Sequence, residues 1–430
     1  MSFALILATL FTAKAPVTAP LQTSGSWETR TVGTGGETFV STDGKGTVYI
    51  SSHIPSQILT SRDSGASFGA PVSFPDSLGD VTHLALPDGR VIVTYLDRKL
   101  NGLIAQSSKD YGKTFTKGNA PFNRPLDREW LAYDAKRKQT ALIYSDGYIG
   151  GPKSKGVFVA VSPDDGITWK ETARVDNETA GSYAIDPHIV SLSDGTLVGF
   201  WNTSVDYDKV NSFRTARSLD GGKTFTGHQT LQVIDPASGD TQERWMLGGL
   251  ASFGKSEVSA FFVRYESMAL ESGPLNTMRV CVRTSKDGGK TFGPARNVTR
   301  PDELTSSAAS FLGGRLDATE PFRQVMAWGA YDPTGTLHLI WFDNRYGQSR
   351  VGEKSLSRWQ LRYAALRPGQ KDAVSEPVGK PFAAARPALD FICCAADRNF
   401  VYVTWTENQN SASGYDFSGT FMFARKKLAK

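Results

Sequence analysis

Apolar residues in this chain fall in short runs separated by turns rich in Asp and Gly, a pattern of paired strands rather than of helices. Thr38 to Val40 is followed by the turn Asp43-Gly44-Lys45-Gly46 and a second run, Thr47 to Ser51. Val81 to Leu86, Pro87-Asp88-Gly89 and Val91 to Leu96 repeat the arrangement. It returns at Trp130 to Tyr144, around Ser193-Asp194-Gly195, at the Gly254-Lys255 turn, at Val325 to Leu339 around Asp332-Pro333-Thr334-Gly335, and at Phe391 to Trp405. Seven such two-strand units follow one another along the chain.

Five of the units end in one short signature: Ser or Thr, any residue, Asp, any, Gly, any, Ser or Thr, aromatic. The copies run Ser61 to Phe68, Ser108 to Phe115, Ser162 to Trp169, Ser218 to Phe225 and Ser285 to Phe292. On the order of 0.001 copies would arise by chance in a chain of ordinary composition, so the repeat is real. Its physical content is a turn that locks itself: Asp63, Asp110, Asp164, Asp220 and Asp287 cap nearby backbone groups, Gly takes a positive φ, and the aromatic packs beneath. Five equivalent carboxylates cannot all face one substrate, so these aspartates read as structural.

A module of about four strands every 45 to 65 residues reads as a propeller blade, because radial repetition protects the edges that an open sheet exposes. The fold class is therefore all-β, a single propeller with seven blades by repeat count. Six remain open if a unit without a box is an insertion. Ser26 to Val32 precedes the first module and Thr420 to Arg425 ends the last, so the N-terminal strand is placed to complete the final blade. Residues 1–21 read as a signal peptide and linker and 22–430 as the propeller. Phe3 to Ala13 is apolar, too short for the roughly 20 residues of a membrane span, and followed by Ala13-Lys14-Ala15. The expectation is an exported, monomeric protein with no integral membrane span.

Composition narrows the function classes. The 430 residues include 42 Gly, 24 Phe, 14 Tyr and 9 Trp, which suits turns and pleated surfaces. A net charge of +5, partly from Arg425, Lys426, Lys427 and Lys430, makes no basic face, and nucleic acid is not an expected partner. Cys281, Cys393 and Cys394 cannot make a disulfide framework and are expected as buried thiols. His53, His83, His188, His228 and His338 show no close spacing, so they predict no metal, and no cofactor is expected.

The boxes, such as Arg217 to Phe225 and Arg283 to Phe292, resemble those of the Asp-box (bacterial neuraminidase repeat) superfamily, whose best-known members are sialidases; the resemblance covers residues 37–430. It implies three arginines that hold a substrate carboxylate, a Tyr nucleophile paired with Glu, and an Asp acid/base, on the rim opposite the boxes. That rim collects Glu37, Asp80, His83, Asp97, Arg98, Asp127, Arg128, Glu129, Asp186, Glu243, Arg244, Arg264, Tyr265, Glu266, Glu320, Arg323, Asp343, Asn344, Arg345, Tyr346 and Asp390. By resemblance, Arg264, Arg323 and Arg345 take the carboxylate, with Arg128 and Arg244 as further substrate contacts. Tyr346 is the nucleophile, Glu243 or Glu266 its base, and Asp80 the acid/base.

One departure stands out. Where sialidases carry an aromatic-Arg-Ile-Pro segment, this chain reads Gly35-Gly36-Glu37-Thr38-Phe39-Val40, and a carboxylate at Glu37 repels a sialate. The expected activity is an exported exo-glycosidase acting on a glycan or glycoconjugate. The alternative is a non-catalytic propeller that binds glycans or a protein partner. Trp130, Trp245, Trp328, Trp341 and Trp405 are expected to pack between blades.

Overall fold

A computed structural model describes residues 19–429 except 100–101, 120–121, 123, 148–153, 180–181, 205–208, 236–245, 271–272, 301–302, 304–321, 353, 389 and 412–418. Side chains are also not described at 267–270 and 273–276. The expected leader at the N-terminus, Glu243, Arg244, Trp245 and Glu320 therefore lie outside the described residues. No helix among the described residues is long and apolar enough to cross a membrane.

The strands form seven antiparallel sheets in chain order, the blades of one propeller. Their inner strands are Gly36–Thr42, Ser77–Ala85, Asp127–Asp134, Tyr183–Ser191, Gly249–Phe253, Gln324–Tyr331 and Cys393–Ala396, for blades one to seven. Second strands such as Val48–His53, Leu197–Ser204 and Leu337–Asp343 are buried at every residue, because neighbouring blades cover both of their faces. The ring closes as the termini anticipate: Trp27–Thr34 pairs antiparallel with Thr420–Lys427 as the fourth strand of blade seven. Among the described residues blade two has three strands, with a bridge, Ala105 to Asn119, in the fourth position. The three cysteines are free and buried.

All five boxes fold into the same turn just after the third strand of their blade. In the second, Ser108 Oγ donates to Asp110 Oδ1 at 2.7 Å and accepts from Gly112 N–H at 2.9 Å. Thr114 donates to the same carboxylate through its N–H at 2.9 Å and its hydroxyl at 2.6 Å. Those Thr114 bonds pull Asp110 down to about 2, and Thr291 does the same to Asp287, also about 2.

Each box glycine has a second reason to be glycine. A Cβ on Gly65 would lie 2.5 Å from Phe423 of blade seven, on Gly112 3.0 Å from Thr60 of blade one, and on Gly166 2.9 Å from Ile92 of blade two. On Gly222 it would meet Val159 and Val161 of blade three at 3.3 Å, and on Gly289 Val198 of blade four at 3.0 Å. The boxes thus seat blades one to five each against the one before it.

The boxes also share an end of the ring with the turns between first and second strands. Ser64 N–H donates to Gly46 O, Tyr111 N–H to Gly89 O and Gly288 N–H to Ser256 O, all at 2.9 to 3.0 Å. The starts of the inner strands therefore open on the other mouth.

Candidate functional site: an acidic mouth over an aromatic plug

Side chains from blades that are not neighbours can touch only on the axis of a propeller, and two layers of such contacts define the boxless mouth. The lower layer is aromatic. Trp130 of blade three meets Trp328 of blade six at 4.6 Å between ring centroids, Phe39 of blade one at 5.2 Å and Phe391 at 5.5 Å. His188 of blade four packs edge-on against both tryptophans. Trp130 and Trp328 therefore fill the axis, while Trp341 and Trp405 are buried on the second strands of blades six and seven, with the Trp405 ring close to Gly379 of blade six.

The upper layer is ionic, and one backbone device positions it. The inner strands of blades one, two, three, four and six each begin with a β-bulge, between Gly36 and Phe39, Gly79 and Thr82, Asp127 and Trp130, Ile185 and His188, and Val325 and Trp328. Within each bulge one non-glycine residue sits at positive φ: Glu37 at 47°, Asp80 at 51°, Arg128 at 58°, Asp186 at 47° and Met326 at 58°. Such a conformation costs on the order of 1 kcal/mol or more per residue. The bulge re-aims the side chain at its apex, and in four blades that side chain is ionisable. Two residues further on, Phe39, Trp130, His188 and Trp328 turn into the aromatic plug.

The result is a ring of buried charges. His53, at the end of the second strand of blade one, places Nδ1 2.5 Å from Glu37 Oε2 and 3.9 Å from Asp80 Oδ1. Asp80 in turn hydrogen-bonds to Asp127. Arg128 reaches across the axis to Asp390 of blade seven at 3.0 Å and lies 3.4 Å from Asp186, with its guanidinium over the Phe391 ring. Arg386 is 3.2 Å from Asp390, and Asn202 donates to Asp186 at 2.9 Å. Six carboxyl groups, Glu37, Asp80, Asp127, Glu129, Asp186 and Asp390, thus face three cations, His53, Arg128 and Arg386, among the described residues. All nine are buried, each less than one tenth exposed.

Burial and mutual repulsion set their proton affinities. Burial alone would lower His53, but the Glu37 and Asp80 carboxylates overcome it and hold the imidazolium up to about 10. Burial, and then Glu37, raises Asp80; burial, and then Asp80, raises Asp127. Glu129 is raised well above the ordinary carboxyl range, by burial and by Asp80, Asp127 and Glu37 in that order. The histidines beneath behave oppositely: burial lowers His83 and His188 to about 3.

No family model and no curated protein matches this chain. Similarity is found among solved structures. An ulvan lyase of a new polysaccharide lyase family superposes with a TM-score of 0.51 at 11% identity, over 91% of this chain and 95% of that one. An α-L-arabinofuranosidase from Fusarium graminearum reaches 0.49 at 14% identity, over 81% and 92%. A Hadza microbial sialidase gives 0.45 at 13%, over 89% and 73%. At such identities the likeness is one of fold alone.

The candidate residues expected from sequence separate into three groups. Asp80 and Arg128 stand in the ring at the axis. Arg264 is bound to Glu266 and donates to Asn297 at 3.2 Å within blade five, where Arg279 joins them. Arg345 is held by Asp343 at 2.6 Å and Glu303 at 3.0 Å in blade six, with Arg362 beside Glu303. Arg323 N–H donates to Asn344 at 2.8 Å. Tyr346 is 41% exposed beside Arg358. Arg264 and Arg345 thus neutralise carboxylates of their own blades. His53 was missed as a partner of Glu37 and Asp80, since neither spacing nor a motif links it to them; only its place at the end of a second strand hinted at the mouth.

Proposed function

We propose that this chain is an exported carbohydrate-active enzyme of the glycoside hydrolase type, working at the acidic mouth of the propeller. One observation carries the reading. Four blades hold an ionisable residue in a strained backbone conformation at the same bulge, and all four side chains converge on the axis. Strain retained in four places at one mouth favours a role in chemistry.

Paired carboxyl groups are the usual equipment for cleaving a glycosidic bond, one giving a proton to the leaving oxygen and the other acting as base or nucleophile. Asp127 is assigned the acid, and Asp80, which touches it, is the carboxyl that raises its proton affinity. Glu37 and His53 set the field around Asp80. The excess of carboxyl groups disfavours an anionic sugar, and two of the three arginines given to a sialate by resemblance, Arg264 and Arg345, already carry carboxylates of the chain. The reading is therefore a neutral terminal sugar, with Phe39 and Trp130 beneath it as the apolar floor.

Purified protein assayed on a panel of neutral aryl glycosides, with the aryl sialoside and a uronate polysaccharide as comparators, is expected to turn over at least one neutral glycoside. Asp127→Asn should lower that rate by about 10²- to 10⁴-fold with the circular dichroism unchanged. Silence across the panel removes the enzyme reading and leaves a glycan-binding propeller.

A further inference from the structure

We propose that Glu37, His53 and Asp80, with Glu129 behind them, form a binding site for one divalent transition-metal ion of the zinc or manganese class. The inference goes beyond the glycosidase reading and does not depend on it.

Three donor atoms, one from each of Glu37, His53 and Asp80, already lie within 4.8 Å of one another. Ligand atoms about 2.0–2.2 Å from one ion stand at most about 4.4 Å apart, so gathering these three takes side-chain movements of roughly half an ångström. Two of the ligands are presented by the strained bulges, and the third is fixed by its neighbour. A Cβ on Gly79 would fall 1.9 Å from Cε1 and Nδ1 of His53, so the imidazole lies directly on the backbone beside Asp80. Only glycine at position 79 lets it do so.

Glu129 supplies an independent indication. It is 1% exposed, and neither carboxylate oxygen has a hydrogen-bond partner among the described residues. The charges that act on it most strongly are Asp80, then Asp127, then Glu37, so it belongs to the same carboxyl cluster. A buried carboxyl group without a partner is costly, and a cation shared with Glu37 and Asp80 removes that cost. Elsewhere in the molecule the comparable acidic group, Glu303 and Asp343, is already matched by Arg345 and Arg362. At the mouth, Arg128 and Arg386 bind Asp186 and Asp390, while His53 is the cation paired with Glu37 and lying beside Asp80.

The donor set selects the ion. Calcium and magnesium take oxygen ligands, whereas an imidazole nitrogen joined to carboxylates suits zinc or manganese. Binding is an exchange without redox chemistry: the ion enters and His53 gives up the proton it holds between the two carboxylates.

The test is metal uptake by the whole folded protein after treatment with a chelator, measured by calorimetry with ZnCl2, MnCl2, CaCl2 and MgCl2 and by elemental analysis after dialysis. Expected is one zinc or manganese ion per chain, bound about 100-fold more tightly than calcium or magnesium. His53→Gln and Asp80→Asn should each weaken it at least about 100-fold, and the nearly isosteric Glu129→Gln about 10-fold. Should His53→Gln or Asp80→Asn fail to fold by circular dichroism, Glu129→Gln decides. Absence of stoichiometric uptake by the wild type, or uptake unchanged in the folded variants, overturns the proposal. Uptake without turnover of any glycoside supports the site and counts against the enzyme reading; turnover that survives chelation with no uptake does the reverse.

Discussion

His188 shows how a single side chain ties the mouth to the stability of the ring. Its Nδ1 accepts the Leu250 N–H at 3.0 Å, and its ring is wedged against Trp130 and Trp328. The imidazole is neutral there, lowered to about 3 by burial, against about 6.5 in an unfolded chain. A histidine whose folded value is depressed stabilises the fold above pH 6.5 and loses that contribution as pH falls toward 3. The raised carboxyls above it run the other way, so the effect is read as a difference. The thermal midpoint of wild type minus that of His188→Gln should be largest at neutral pH and shrink steadily from pH 6.5 to 4. Parallel curves would show that His188 does not titrate on unfolding.

At the scale of the element, the box turn has two functions that the sequence pattern alone merges. The Asp and the hydroxyls close the loop, and the glycine permits both a positive φ and contact with the preceding blade. Gly166 tests the second function, with φ at 83° and Ile92 of blade two 2.9 Å from its virtual Cβ. Gly44, in the first turn of blade one, has a similar φ of 74° but nothing within 4 Å. Gly44→Ala should cost about 1 kcal/mol from backbone strain, and Gly166→Ala about 2–4 kcal/mol once overpacking is added. Equal losses in urea denaturation would mean that the box glycine is a turn residue and not a spacer.

For the whole molecule, the closing strand decides whether seven blades behave as one unit. Trp27 on that strand is fully buried; its indole N–H donates to Glu376 at 2.7 Å and its ring meets Tyr363 edge-on, both in blade six. Trp27→Ala should therefore cost about 3–5 kcal/mol, measured as a shift in the urea midpoint. A loss below 1 kcal/mol would indicate that the ring holds together without the clasp between its ends.

Strand runs, box turns, blade number and the joining of the termini were legible in the chain because each depends on residues a few positions apart or on a repeat counted along it. Glu37, Asp80, Asp127, Asp186 and Asp390 could be placed on one rim by the same counting. What only the tertiary structure decided is which of them meet. His53 joins Glu37 and Asp80 through a bulge and a bare glycine, Arg128 spans the axis to Asp390, and Arg264 and Arg345 turn to acids in their own blades. Periodicity reports the face on which a side chain stands. Convergence depends on closure of the ring and on a single positive-φ side chain at the inner strands of five blades, which no local pattern of apolar and polar residues encodes.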